Sequence, residues 1–225
     1  MRLLLLHGFT ATGRSWDPVR RLLDAQRYPD VVAPDLRAAS IPAQVAALRQ
    51  QAPYALAGYS LGGRIALHLA LAQPDLVRRL VLVSTTAGIE DPGERAERRA
   101  ADERLAAEIE RDGVEAFAER WAAQPLFADQ PPEVAAAARE DRLRHAPEQL
   151  AAALRGLGTG VMEPVWHRLG ELTMPAVVLA GGRDAKFRAL GERLAAALPR
   201  GELRVVPGAG HAVHLEAPEA VAAAL

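Results

Sequence analysis

The stretch Gly-Tyr-Ser-Leu-Gly at positions 58–62 is the first place in this chain where residue types and spacing suggest chemistry. An apolar run, 54–57, precedes it and a helical pattern, 64–70, follows it, so the serine lies on a turn between a strand and a helix. Glycines two residues before and after Ser60 allow the strand and helix to approach closely, which leaves the hydroxyl at the helix N-terminus. A glycine-rich connection with no chemistry is the alternative.

Two further segments supply the partners that a serine hydroxyl requires. Asp184 follows the apolar strand 176–180, and His211 follows the strand 203–206 in a glycine-rich turn. A histidine can take the proton of the hydroxyl, and a carboxylate can orient that histidine. Because all three residues follow the carboxyl ends of predicted parallel strands, we expect Ser60, Asp184 and His211 to form a catalytic triad. Asp184 as a helix cap and His214 as a rival base are the alternatives.

Negative charge on a reacting oxygen would be stabilised by two backbone N–H groups. One is expected from Leu61, directly after the serine, and the other from Phe9, in the loop after the first strand. Their side chains are incidental to this role.

Short apolar strands alternate with helices through most of the chain, which predicts an α/β fold with a mostly parallel sheet of about six strands flanked by helices. Between residues 88 and 170 the strand signal disappears and helical patterns take over. The chain therefore divides into a core, 1–87 and 171–225, and a helical cap insertion, 88–170. The predicted strands are 3–6, 31–33, 54–57, 80–84, 176–180 and 203–206, and the predicted helices are 15–26, 42–51, 64–70, 94–112, 114–123, 133–145, 148–157, 187–198 and 218–225.

The composition excludes several kinds of partner. There are 27 basic and 28 acidic residues, giving a net charge of −1, so we expect no nucleic-acid partner. The chain has no cysteine, and its histidines lack metal-ligand spacing, so neither a metal nor another cofactor is expected. Four consecutive leucines near the N-terminus are too few for a signal peptide or a membrane span, which favours a cytoplasmic protein. Nothing in the composition indicates the oligomeric state.

Taken together, these residues resemble the α/β-hydrolase superfamily, and within it the SHCHC synthase family of menaquinone biosynthesis. The segments around Ser60 and His211 alone would indicate only the superfamily. The narrower evidence is the pair of motifs Gln-Pro-Leu-Phe and Asp-x-Lys-Phe-Arg-Ala-Leu in the right order. The segments that carry the resemblance are 58–64, 94–98, 121–127, 184–190 and 209–214.

The resemblance implies a lyase that eliminates pyruvate from 2-succinyl-5-enolpyruvyl-6-hydroxy-3-cyclohexene-1-carboxylate. In that chemistry Ser60 acts as a general base and is not acylated. A polycarboxylated substrate favours arginine, whose planar fork binds a carboxylate through two hydrogen bonds. The resemblance carries substrate binding onto Tyr59, Arg64, Arg98, Trp121, Phe127, Arg142, Lys186 and Phe187.

This chain also departs from the superfamily pattern. Segment 35–40 lacks the usual D-x-x-G-x-G-x-S loop, and the chain starts at the third strand of the pattern. Two other functions stay open. A carboxylesterase would use the same triad as a nucleophile, favoured by an apolar cap pocket without converging arginines. A ligand receptor that performs no turnover would use only the scaffold.

Overall fold

The protein is built around a six-stranded, all-parallel sheet with strand order β2-β1-β3-β4-β5-β6. The computed structural model describes residues 1–127 and 129–225. The predicted α/β fold is confirmed. The strands are β1 Arg2–Leu6, β2 Asp30–Val32, β3 Tyr54–Tyr59, β4 Val77–Val83, β5 Ala176–Gly181 and β6 Gly201–Val206.

The strand order reverses beside β1, and this reversal creates the crevice used by the site. The chain passes from β1 to β2 on one side and then returns to place β3 on the other side of β1. The connections after β1 and β3 therefore leave the sheet in different directions and open a gap at the carboxyl ends of the strands. Phe9 follows β1 and Ser60 follows β3, so both lie at this gap.

Helices cover both faces of the sheet because the central strands are apolar on both sides. One buried cluster joins the sheet to α2, α3 and α7, and the other joins it to α1, α8 and α9. The helices of the two layers are α1 Asp17–Arg20, α2 Ile41–Leu48, α3 Leu61–Ala72, α7 Ala185–Ala197, α8 Val213–Glu216 and α9 Pro218–Ala222, with 3₁₀ helices at Gly13–Trp16 and Trp166–Glu171.

A helical insertion separates β4 from β5, as the loss of strand signal predicts. It comprises α4 Pro92–Ala122, α5 Pro132–Arg142 and α6 Pro147–Leu157. α4 and α6 pack around their own apolar cluster, which includes Phe117 and Leu154. The sequence predicts two helices meeting at Gly113, and the structure has one helical run bent there, with Gly113 at φ 84°. Glycine is the residue that adopts such a conformation without strain.

The sequence predicts a first helix over 15–26, with Ser15 as its N-cap and Val19, Leu22 and Leu23 on its buried face. This prediction is wrong in the length of the helix and in its cap. The structure has a short 3₁₀ helix capped by Thr12, then α1, which ends at Arg20. Asp24 accepts the N–H of Gln26 at 2.8 Å and thereby turns the chain, an example of a side chain competing with helix hydrogen bonds. Leu22, expected on the buried face, is 47% exposed as a result.

Across the described residues, no helix is long and apolar enough to cross a membrane.

Candidate active site

Ser60 lies on a strained turn between β3 and α3. Its backbone has φ 50° and ψ −107°, a conformation that L-residues rarely adopt. The turn is possible because two glycines leave room: a Cβ on Gly58 would lie 2.3 Å from the Gly62 carbonyl oxygen, and one on Gly62 would lie 2.0 Å from that of Leu6. The Thr85 hydroxyl donates to the Ser60 carbonyl at 2.7 Å and holds the turn against β4.

The structure brings Ser60, His211 and Asp184 together in one hydrogen-bonded chain. His211 Nε2 lies 3.3 Å from Ser60 Oγ, and His211 Nδ1 lies 2.7 Å from Asp184 Oδ2. Both His211 and Asp184 are buried. Because a carboxylate accepts only, His211 carries a proton on Nδ1 and leaves Nε2 free to accept the serine proton.

Asp184 serves two of the roles that the sequence left as alternatives. Its Oδ1 accepts the backbone N–H of Phe187 at 3.1 Å and caps α7, while Oδ2 faces His211. The two oxygens of one carboxylate thus fix the start of a helix and the orientation of the imidazole at the same time.

The rival histidine is not placed to act as a base. His214 is 0% exposed, and neither ring nitrogen has a partner within the described part of the chain. Its ring packs 4.1 Å from that of Tyr59 and 5.1 Å from that of Trp16, measured between centroids. Burial, and secondarily the neighbouring His211, lower the pKa of His214 to about 3, so its ring is neutral at physiological pH.

Phe9 and Leu61, the residues predicted to supply an oxyanion hole, line the same cavity as Ser60. Leu61 is the first residue of α3, and among the described residues neither its N–H nor that of Phe9 donates to another protein group. His7 braces the Phe9 loop: its Nδ1 donates to the Gly8 carbonyl at 2.8 Å, and its Nε2 accepts the N–H of Leu36 at 3.0 Å.

A cavity of about 250 Å³ opens above Ser60, between the sheet and the helical insertion. Most of the predicted substrate-binding residues line it together with Ser60 and His211. They are Tyr59, Arg64, Arg98, Trp121, Phe127, Lys186 and Phe187, and the two predicted oxyanion-hole residues, Phe9 and Leu61, line the cavity as well. Three of these side chains are cationic, and no described lining residue carries a carboxylate, so the lining has an excess of positive charge.

Arg64 is the buried cation of this cavity. It is 7% exposed, and its guanidinium donates to the Leu157 carbonyl at 2.8 Å, which leaves further N–H groups for a ligand. Burial, followed by the nearby charge of Arg98, lowers the pKa of Arg64 to about 9, and the side chain stays charged at neutral pH. Arg98 is more exposed and is held by Asp102 at 2.8 Å.

Arg142 is the exception among the predicted substrate-binding residues, because it does not line the cavity that contains Ser60. It is 5% exposed and borders a separate cavity of about 360 Å³, which shares Phe9, Tyr59 and Phe127 with the first. The physical reason is the position of α5, the helix that carries Arg142. Asp141 accepts the N–H of Thr12 at 2.7 Å, which anchors α5 on the other side of the Phe9 loop.

Aromatic rings enclose the imidazole and the cavity. The centroid of Phe187 lies 4.4 Å from that of His211, and the centroid of Phe127 lies 5.9 Å from it. Trp121 packs edge-on against Phe9 at 5.3 Å. This apolar wall restricts water around His211 and strengthens electrostatic interactions inside the cavity.

Sequence reasoning missed four polar residues that line the cavity: Thr85, Thr86, Gln124 and Thr159. Thr85 and Thr86 follow the carboxyl end of β4, the same signal that identified Ser60, so strand ends could have indicated them. Gln124 lies inside the narrow motif at 121–127. Nothing in the sequence around Thr159 distinguishes it. Within the described residues, no cluster of three metal-ligating side chains occurs.

The sequence and the fold both match known proteins over nearly the whole chain. The model of the alpha/beta hydrolase family matches residues 3–224. A Bacillus subtilis protein provisionally assigned as 2-succinyl-6-hydroxy-2,4-cyclohexadiene-1-carboxylate (SHCHC) synthase is 37% identical over 95% of this chain and 84% of its own length. The synthase of that name from Salmonella paratyphi C is 31% identical over 97% of this chain and 90% of its own.

Two solved structures also superpose on nearly the whole chain. MenH from S. aureus superposes with a TM-score of 0.88 at 28% identity, covering 99% of this chain and 91% of that protein. A thermophilic esterase from Thermogutta terrifontis, with malate bound, superposes with a TM-score of 0.85 at 28% identity, covering 100% and 87%. The chain belongs to the alpha/beta hydrolase family and, within it, to the SHCHC synthase family.

Proposed function

We propose that this protein is a carbon–oxygen lyase that forms 2-succinyl-6-hydroxy-2,4-cyclohexadiene-1-carboxylate by eliminating pyruvate. The observation that carries the proposal is the charge of the cavity beside Ser60. Arg64, Arg98 and Lys186 line it, and no carboxylate does among the described residues. The enolpyruvyl substrate has one carboxylate on the ring, one on the succinyl arm and one on the pyruvyl group, so three anions meet three cations.

Ser60 acts as the base in this proposal. Its hydroxyl gives its proton to His211 Nε2, 3.3 Å away, as the serine oxygen removes the hydrogen from ring carbon 2, next to the succinyl carbonyl. Asp184 stabilises the imidazolium that forms. The N–H groups of Phe9 and Leu61 stabilise the charge that develops on the carbonyl oxygen.

The remaining electron movements balance without a cofactor. The electrons of the broken C2–H bond form a double bond between carbons 2 and 3, the original double bond moves to carbons 4 and 5, and the bond from carbon 5 to the pyruvyl oxygen breaks. The departing enolate takes a proton from the His211 imidazolium and becomes pyruvate. Ser60 and His211 return to their starting protonation states.

We further propose a division of labour between a core, 1–87 and 171–225, and a cap, 88–170. The core supplies the reacting groups Ser60, Asp184 and His211. The cap supplies Arg98, Trp121 and Phe127, which line the cavity from above. In this division the cap selects the substrate and the core performs the proton transfers.

A carboxylesterase is the second candidate, and one observation favours it. Ser60, activated by His211 and Asp184, could attack an ester carbonyl, and the thermophilic esterase from Thermogutta terrifontis shares this fold at 28% identity. The cationic cavity favours the lyase over esters of uncharged acids.

A paired assay tests the proposal. Purified protein is given the enolpyruvyl substrate, with pyruvate release and diene absorbance recorded, and separately a series of short aryl esters. We expect pyruvate and diene in equal amounts and little ester cleavage, with both reactions absent in Ser60→Ala. Efficient ester hydrolysis without pyruvate release would contradict the lyase.

A further inference from the structure

We infer that Glu216 is a positioning residue for His211 and that, through Arg183, it couples the triad to the helical insertion. This inference rests on the part of the proposed function in which His211 receives the Ser60 proton. It concerns a carboxylate that the proposed mechanism does not use. Four hydrogen-bond observations support it.

The first observations concern the backbone on either side of His211. Glu216 Oε2 accepts the N–H of Gly210 at 2.7 Å, and Oε1 accepts that of Ala212 at 3.2 Å. One carboxylate therefore holds the residue before His211 and the residue after it. His211 lies in an irregular loop between β6 and α8, where no strand or helix would otherwise fix these N–H groups.

The fit of the loop around this carboxylate is close. A Cβ on Gly210 would lie 3.1 Å from Glu216 Oε1 and 3.2 Å from Oε2, so a larger residue would push the carboxylate away. α8 is a single turn in which Glu216 donates its own N–H to the Ala212 carbonyl at 2.9 Å. That turn directs the side chain back to the loop from which the helix starts.

The third and fourth observations involve Arg183. Its guanidinium donates to Glu216 Oε2 at 2.8 Å and to the Asp129 carbonyl of the insertion at 2.7 Å. Arg183 also directly precedes Asp184, and its N–H donates to the Ala209 carbonyl at 3.0 Å. The pair thus joins the loop that carries Asp184, the loop that carries His211, and the segment next to Phe127.

The Glu216 carboxylate lies inside the protein, whereas the Arg183 side chain reaches it from the surface and is 38% exposed. The Glu216 side chain is 2% exposed, and three donors satisfy it: two backbone N–H groups and a guanidinium. A buried carboxylate is stable only with such partners. Loss of Glu216 would leave the His211 loop free to shift, and a movement of about 1 Å at a catalytic group reduces turnover by about 100-fold.

The test uses Glu216→Ala, Glu216→Gln and Arg183→Ala in the full chain, with Glu171→Ala as the control. Glu171 is also bonded twice by an arginine, Arg168, but on an exposed 3₁₀ helix away from the cavity. Turnover is measured for whichever reaction of the paired assay the wild type performs. The ring nitrogens of the histidines, six in all, are observed by ¹⁵N NMR, with His211 assigned by substitution.

We expect Glu216→Ala to lower kcat about 100-fold with little change in KM, because substrate binding is left intact. Glu216→Gln keeps one acceptor oxygen and should recover part of the loss, and Arg183→Ala should be non-additive with Glu216→Ala. The His211 signals should change from a single Nδ1–H tautomer to a mixture. Unchanged kcat in the folded variants, or a His211 spectrum identical to wild type, would overturn the inference.

The two proposals fail separately. A wild type that cleaves esters and releases no pyruvate contradicts the lyase, while the Glu216 variants still report on His211 through ester turnover and NMR. If Glu216→Ala does not fold, Glu216→Gln carries the test with the same two readouts.

Discussion

The two oxygens of Asp184 allow its contribution to helix capping and its proposed catalytic role to be separated by two substitutions. Oδ1 caps α7 through the Phe187 N–H, and Oδ2 binds His211 Nδ1 at 2.7 Å. Asp184→Asn keeps an oxygen for the cap but presents an amide N–H₂ group to the imidazole. The ring must then accept at Nδ1 and carry its proton on Nε2, where it cannot receive the proton of Ser60.

The expected magnitudes follow from these contacts. Asp184→Asn should lower kcat about 10⁴-fold, the effect of reversing the tautomer in a triad, with unfolding free energy nearly unchanged because asparagine caps helices as well as aspartate does. Asp184→Ala loses the cap, about 1 kcal/mol, and leaves the buried Nδ1–H group unpaired, about 1–3 kcal/mol. Its melting temperature should fall by about 2–4 °C for each kcal/mol.

The assays are steady-state turnover and urea or thermal unfolding of the same preparations. Asp91→Ala is the matched control, because Asp91 caps α4 through the N–H of Glu94 at 2.8 Å but lies on the surface. That variant should lose about 1 kcal/mol of stability and keep its turnover. Equal destabilisation of Asp184→Asn and Asp184→Ala, or an Asn variant with more than about a tenth of wild-type kcat, would refute the reasoning.

Three further substitutions probe the cavity, the bend in α4 and a buried histidine. Arg64→Met should raise KM for the enolpyruvyl substrate about 10- to 100-fold, because a charge-assisted hydrogen bond contributes about 1.5–3 kcal/mol. The control is Arg78→Met, at an exposed position. An unchanged KM in Arg64→Met, or an equal rise in Arg78→Met, would argue against substrate binding by Arg64. Gly113→Ala should lower the unfolding free energy by about 1–3 kcal/mol, since φ is 84° there, whereas Gly170→Ala, with open space around it, should be neutral in the same urea titration. The folded pKa of His214, about 3, lies below its ordinary value of 6.5, so the unfolded chain binds the extra proton and stability falls as the pH drops through this window. From pH 7.5 to pH 5 the wild type should lose about 2 kcal/mol of unfolding free energy through His214. His214→Phe lacks this group, so its unfolding free energy should fall by about 2 kcal/mol less over the same range. Parallel profiles of unfolding free energy against pH for the two proteins would contradict this.

The fold was largely predictable because its signals are local. Buried strands such as β3 and β5 are continuous apolar runs, and the glycines around Ser60 mark a close approach that few other sequences permit. The first helix was mispredicted because the spacing of apolar residues over 15–26 does not reveal the turn that the Asp24 side chain makes. A local polar contact of this kind outweighs a weak helical preference.

Among the predicted substrate-binding residues, the local sequence was enough to place some, and others needed long-range contacts. Arg64 is one helical turn from Ser60, so its place in the cavity follows from the helix that carries both. Arg142 lies on a helix whose position depends on the contact between Asp141 and Thr12, 129 residues apart, and no pattern near Arg142 encodes that contact. Its position therefore had to come from the tertiary structure.

The sequence alone predicted an α/β fold with a mostly parallel sheet, the helical insertion and the three candidate residues Ser60, Asp184 and His211, because strand periodicity and strand ends are local properties. The tertiary structure decided which arginines share a cavity with Ser60, that Asp184 caps a helix while it binds His211, and that Glu216 holds the His211 loop. These outcomes depend on contacts between segments far apart in the chain. Such contacts are set by how the layers pack, and sequence spacing does not record them.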